Sequence, residues 1–387
     1  MEKGIEMGIS EMMVYDGFGC VYGSEEQFMQ DLSLLMKEQE WKYVPIREMK
    51  IRDLPNVPML IGTTDLNIEN LAVNDRTSIM ETMQKLGLML ETNKETYLMR
   101  TSSFNSLLQR AQISGRSINR LYEEKRFKFV EHMNLYLSLY GEKAKVLIRG
   151  GRTAAVLSKD YAIINQKELF QRTFGVIKSR FDNYDFIEGY IGEEFSTSLL
   201  KTKSDVLLYT EMKPLLDRYD CTEAIPTIRI ITSDIGVSHA KLVPMITTEK
   251  GTIIAFGDTL EVKHIGNKTV EDFLEKVEVV FPKMLESVNR IKELKELVFD
   301  NGDTIMKELG KKYKVPTPLI NTAITNMIEI EGDGPVTGTD LYYYFCDILD
   351  VAKMQDYKPE QLVAIEEAVG RILISRNWAR YDYPGVK

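Results

Sequence analysis

Cysteine is scarce: Cys20, Cys221 and Cys346 are the only three, far apart and odd in number. A disulfide framework needs pairs, and a structural zinc site needs thiolates or imidazoles at close spacing, so neither is expected. Histidine is as rare. His132, His239 and His264 do not share a helix face, so no metal pair is local in the sequence, and each is read as structural. Long apolar runs are also missing. No stretch reaches the roughly 20 residues that a membrane-spanning helix needs, and Met1-Glu2-Lys3-Gly4-Ile5-Glu6 opens neither a secretory apolar region nor a cleavage site. No membrane partner is expected, and the location is read as cytoplasmic.

Three catalytic signatures are absent too. There is no Gly-rich loop followed by Lys and Ser/Thr, no dinucleotide fingerprint between a strand and a helix, and no nucleophile elbow. No catalytic residue, metal or cofactor is therefore assigned. The sequence names no reaction, and a non-enzymatic role is favoured.

What the chain does have is an uneven charge. Its 387 residues carry a net −9, yet residues 100–180 hold sixteen Lys and Arg against six Asp and Glu. That segment is +10, and the remainder is −19. Such asymmetry is the electrostatic footprint of a polyanion-binding face.

The centre of the basic segment runs from Lys143 to Arg180. Ala144 to Arg149 and Arg152 to Leu157 are apolar-rich runs separated only by Gly150-Gly151, which can take the positive φ angles of a tight turn. A hairpin is predicted, followed by Ser158-Lys159-Asp160-Tyr161 and an amphipathic helix from Gln166 to Arg180. Ser158 and Lys159, adjacent in a strand, point to opposite faces, which argues against a nucleophilic pair. Arg149, Arg152, Lys159, Arg172, Lys178 and Arg180 are the candidate phosphate contacts, with Tyr161 as a stacking group.

The rest of the chain reads as α+β: a mainly antiparallel sheet with packed helices and a helical C-terminal third. Short strands are predicted at Met12–Tyr15 and Cys20–Tyr22, and helices at Glu25–Glu40, Thr77–Asn93 and Ser102–Leu139, the last broken near Ser114-Gly115. Phe104, Tyr122, Phe127 and Phe129 in that tract sit at helical spacing and are read as core before they are read as base-stacking groups. Strands follow at Tyr184–Tyr190, Phe195–Val206, Thr227–Thr232, Ala240–Thr247 and Thr252–Phe256, with a short helix at Glu211–Tyr219. Pro282 should kink or divide a long helix from Val270 to Val298. Helices at Thr304–Tyr313, Pro318–Ile328, Asp340–Lys353 (capped by Thr339) and Lys358–Asn377 complete the chain. Glu193-Glu194 reads as a solvated turn. Asp333 and Asp340 bracket a glycine-containing loop and are read as part of a helix cap, with a metal site as the lesser alternative. No repeat or low-complexity linker marks a boundary. The working division is 1–100 as an N-terminal α+β region, 101–265 as the sheet-containing core, and 266–387 as a helical region packed on it.

Three short motifs carry a family resemblance. They are Leu157-Ser158-Lys159-Asp160-Tyr161 with Ile164-Asn165 and Glu168-Leu169-Phe170, then Glu261-Val262-Lys263-His264-Ile265-Gly266-Asn267, then Thr339-Asp340-Leu341-Tyr342. In order and spacing these resemble the phage- and plasmid-like proteins carrying domain of unknown function 932, over about residues 144–378. The resemblance implies a mobile-element gene product and brings no activity or catalytic residues with it.

The leading expectation is a nucleic-acid-associated protein of phage DNA metabolism that binds or anneals single strands. A homo-oligomer is a compatible assembly. Two alternatives stand beside it: an interaction or inhibitory factor acting on a host defence protein, motivated by the −19 remainder, and a metal-dependent nuclease or transferase using Asp333 and Asp340.

Overall fold

The computed structural model describes residues 8–54, 70–73, 75–181, 183–202, 217, 220–332 and 334–382. Helix α1 (Ile9–Met12) turns into strand β1 (Gly19–Tyr22) and helix α2 (Glu25–Lys37). Next come β2 (Gln39–Pro45), β3 (Lys50–Asp53), α3 (Arg76–Gln84), β4 (Leu88–Glu91) and β5 (Thr96–Met99). Helices α4 (Thr101–Arg110), α5 (Arg116–Glu124) and α6 (Arg126–Ser138) precede the hairpin of β6 (Lys143–Arg149) and β7 (Arg152–Ser158). Helix α7 (Gln166–Phe181) leads to β8 (Tyr184–Gly192), β9 (Ser196–Thr202), β10 (Ala224–Thr232), β11 (Ala240–Thr248), β12 (Ile253–Ala255) and β13 (Leu260–Val262). The last third is α8 (Val270–Lys295), β14 (Val298–Phe299), α9 (Gly302–Tyr313), α10 (Thr317–Glu331), β15 (Val336–Thr337), α11 (Gly338–Met354), α12 (Pro359–Leu373) and α13 (Trp378–Asp382).

The α+β class holds, with two main sheets among the described residues rather than one. The first has the order β2-β6-β7-β5-β4-β3 and is antiparallel except where β5 runs parallel to β7. The second has the order β1-β8-β9-β10-β11-β12, with β13 added to β11, and is antiparallel throughout. The first hundred residues are divided between them: β1 joins the second sheet, and β2 to β5 join the first.

Each sheet needs cover for its apolar faces. On the first, Leu107 of α4 and Phe129, Met133 and Leu137 of α6 pack against Leu90, Tyr97, Val146 and Val156. On the second, α2, α7 and α8 share one large core with the C-terminal helices, through Phe28, Phe170, Phe174, Phe273, Val277 and Tyr342.

The central hairpin forms as its sequence predicts. Gly150 and Gly151 have φ of +56° and +71°, the mirror-image turn that suits the right-handed twist of paired strands. Both faces of the hairpin are covered. Val146 and Val156 belong to the core under α4 and α6, while Leu147, Ala154, Ala155 and Leu157 meet Trp41, Tyr161 and Ile235 on the other side. Its turn end, with Arg149 and Arg152, is thereby inside the molecule.

Three local predictions are corrected. Met12–Tyr15 is the end of α1 and a turn, not a strand. The Thr77–Asn93 helix stops at Gln84, because Gly87 (φ +61°) turns the chain into β4, whose Leu88, Met89 and Leu90 are all buried. Helix α8 runs undivided through Pro282. Its Phe273, Val277, Phe281, Met284, Val288 and Ile291 are buried along both halves, and that burial outweighs the roughly 3 kcal/mol a helix-interior proline costs. Glu211–Tyr219 lies almost wholly outside the described residues.

Candidate functional site

The six residues expected to contact phosphate, and Tyr161 expected to stack on a base, do not share a surface. Arg149, Arg152 and Tyr161 are buried, the two arginines fully. Arg172 lies on α7 between Glu168 of its own helix (3.3 Å) and Glu271 of α8. Arg180 faces Glu278 at 3.8 Å and stands over the Phe281 ring. Lys159 and Lys178 are exposed, one beyond β7 and the other on α7. The Tyr161 ring is sandwiched between Trp41 and His264, and its hydroxyl donates to the Ser233 carbonyl at 2.9 Å. It is thus unavailable to stack on a base. The aromatics of the 102–139 tract divide: Phe104, Tyr122 and Phe129 pack on one another in the core, and Phe127 is 73% exposed.

The buried arginines belong to a charge network between the two sheets. Arg149 donates to Asp234 at 2.6 Å and to the Glu193 carbonyl at 2.9 Å. Gln39 donates to the other oxygen of Asp234 at 2.6 Å. Arg152 pairs with Asp16 at 2.7 Å and donates to the Val14 carbonyl at 2.7 Å. Arg100, just ahead of α4, stands 3.8 Å from Asp16 and donates to the carbonyls of Met13 and Tyr15. Burial, and then the neighbouring Arg152, bring its guanidinium down to about 10. Glu193 accepts from the Ser102 hydroxyl (2.5 Å) and the Gly17 amide. Three guanidiniums thus share two ion-pair partners, Asp234 and Asp16, as low dielectric requires, and the Glu193 carboxylate sits beside them on Ser102 and Gly17.

The outer members of this network, Asp16, Ser102 and Glu193, line a cleft of about 980 Å³, a size suited to a small ligand or a short segment of a larger one, with the arginines buried behind them. One wall is the polar side of α4: Thr101, Ser102, Asn105, Ser106 and Gln109 recur at helical spacing. The first turn of α12, from Lys358 to Gln361, also lines the cleft. Gly19 and Val21 of β1, Tyr190 of β8 and Lys85 are part of the same lining. Gly19 and Gly192 are paired across the two strands, and the Tyr190 ring occupies the space a side chain on either would need. The Tyr190 hydroxyl thereby reaches Glu360 at 2.8 Å. Partial loss of hydration, then the neighbouring Glu360 and Glu193 carboxylates, raise the Glu194 carboxyl above its usual range.

Glu193 is buried, not solvated, whereas Glu194 beside it is exposed as expected. Asp340 serves a helix cap: Thr337, not Thr339, is the N-cap, donating to the Asp340 carboxylate (2.5 Å) and accepting from its amide (3.2 Å). Asp333 lies outside the described residues. Among the described residues no group of three or more His, Cys, Asp and Glu is arranged to hold a metal ion, and none of their helices is long and apolar enough to cross a membrane.

Asp16, Glu193 and Asp234 were missed as site residues because each reads as turn chemistry. The available signal was physical: arginines at the end of a hairpin covered on both faces need carboxylates from elsewhere. Comparison with known proteins finds no matching family model, curated protein or solved structure.

Proposed function

We propose that this chain is a nucleic-acid-associated protein of the host cytoplasm, in the phage or plasmid setting its motifs resemble, and that it holds a short single strand in the cleft between α4 and α12. The supporting observation is convergence: Lys85, Lys358 and the first turns of α4 and α12 all line this one cleft. Helix N-termini favour anions, and Tyr190 supplies an aromatic ring for a base. Asp16 is already paired with Arg152, and the Glu193 carboxylate is held by Ser102 and the Gly17 amide, which leaves Glu194 and Glu360 set against the two lysines. The cleft is charge-balanced, so binding is modest and only weakly salt-dependent.

Fluorescence anisotropy of a labelled single-stranded oligonucleotide at several salt concentrations tests this. Two lysine contacts give a slope of about −1.4 in log K against log salt. Lys85→Glu with Lys358→Glu should abolish binding without lowering thermal stability. Unchanged affinity in that variant overturns the assignment.

A second reading, contact with a protein, is favoured by the outward side of α6. Phe127, Leu135 and Leu139 are 73%, 58% and 66% exposed there, with Tyr136 beside them. Adjacent exposed apolar side chains of this kind mark protein contacts. If that side joins copies of the chain, Leu135→Glu with Leu139→Glu reduces the mass in solution; an unchanged mass removes self-association.

A further inference from the structure

The first turn of α4 holds an anion that belongs to the chain itself. One oxygen of Asp16 accepts from the Thr101 amide at 2.8 Å and from the Thr101 hydroxyl at 2.7 Å. The other pairs with Arg152 at 2.7 Å and faces Arg100 at 3.8 Å. Around it the carbonyls of Met13 and Tyr15 each accept from Arg100, and the carbonyl of Val14 accepts from Arg152. Both guanidiniums are fully buried, and the Nε of each has no hydrogen-bond partner. A helix start, a hydroxyl and two arginines make a binding set for an oxyanion. One carboxylate and three carbonyls together present what a single phosphate group presents alone: several acceptor oxygens around a negative centre.

We propose that this is a phosphate site which the loop from Val14 to Gly17 closes in the free protein, with Asp16 as the stand-in for the ligand. When a phosphate group enters from the cleft, the loop withdraws and the phosphate oxygens take over Thr101, Arg100 and Arg152. The loop is placed for this role, because Asp16 and Gly17 line the cleft, Gly17 has φ +73°, and Met13 and Phe18 anchor its two ends in the core. No covalent step is involved. The phosphate chemistry stands on the geometry; its source, the backbone of a strand, rests on the function proposed above.

Asp16→Asn is the test, since the amide keeps an acceptor for the Thr101 amide and removes the charge. In chloride the variant should melt below the wild-type protein. Inorganic phosphate at matched ionic strength should restore its melting temperature in a saturable way, with no comparable effect on the wild type. Asp16→Asn with Arg152→Gln should lose that response. If Asp16→Asn is not recovered folded from chloride, its recovery in phosphate is the same measurement. A response to phosphate no greater than to chloride, or no recovery in either, overturns the proposal.

A 5′-phosphorylated trinucleotide then asks about the source. If the open form of the wild type is about one molecule in ten or fewer, Asp16→Asn binds the trinucleotide about tenfold tighter or more. Rescue by inorganic phosphate with no binding of the trinucleotide to either protein keeps the site and removes the nucleic-acid reading.

Discussion

Replacing Arg149 by methionine separates a buried structural guanidinium from a surface one. The side chain is fully buried; it holds Asp234 at 2.6 Å and the Glu193 carbonyl at 2.9 Å, so it ties β6 of the first sheet to two loops of the second. Arg149→Met fills most of the volume but strands the Asp234 carboxylate with Gln39 as its remaining hydrogen-bond donor. Breaking one side of a buried ion pair costs about 3–5 kcal/mol. Unfolding entropy of about 2.1 cal/mol/K per residue gives roughly 0.8 kcal/mol/K over the chain, so the melting temperature should fall by about 4–6 °C if the protein melts as one unit. Replacing both partners, with Arg149→Met and Asp234→Leu, should recover most of that loss, because an apolar pair carries no unpaired charge. Differential scanning calorimetry on the two single variants and the double variant closes the cycle. An Arg149→Met protein that melts with the wild type but binds a single strand less tightly would refute this reasoning, and would return the guanidinium to a phosphate-contacting surface.

Two further outcomes follow from groups around the same junction. His264 is buried; its Nδ1 meets the Ala162 carbonyl at 3.0 Å, its ring stacks on Tyr161, and burial lowers its pKa below the usual 6.5. The unfolded chain therefore takes up this proton more readily than the native one. The stability contribution is complete above about pH 6.5 and is lost as the pH falls from there toward the depressed native value. Urea midpoints between pH 7.5 and 5 should decline, and His264→Phe should flatten that decline; an equal decline in the variant removes His264 as the cause. Gly192→Ala would place a Cβ 2.6 Å from the Tyr190 hydroxyl, forcing the ring off the sheet and breaking its bond to Glu360. A loss of about 1–3 kcal/mol is expected from such overpacking, more than the roughly 1 kcal/mol for Tyr190→Phe, and chemical denaturation ranks the two.

The secondary structure was legible where the pattern was local. Gly150-Gly151 between two apolar runs specified the hairpin, and the repeat of Phe273, Val277, Phe281 and Val288 specified α8 whatever Pro282 implied. The strand β4 was hidden because Leu86 to Leu90 continues an apolar tract that also fits a helix, and only the turn at Gly87 separates them. The site was not legible, for a reason of distance in sequence. Asp234 is 85 residues from Arg149, and Val14, which accepts from Arg152, is 138 residues away. No window of ordinary length holds both partners.

Counting bases over residues 100–180 treats each as solvated, which holds only where a segment leaves one face to water. Ala154-Ala155-Val156-Leu157 does not alternate; it is an unbroken apolar run, the mark of a strand covered on both sides. A base that closes such a strand must go inside with it, and a buried guanidinium recruits its own counter-charge. Arg149 and Arg152 therefore had to acquire Asp234 and Asp16, and the local excess of +10 was bound to be partly cancelled by acids from outside the segment. For the anionic partner proposed above, what remains is the part of that cancellation which can be undone, and Asp16, on a loop lining the cleft, is better placed to move than Asp234, which Gln39 and Arg149 hold between the sheets.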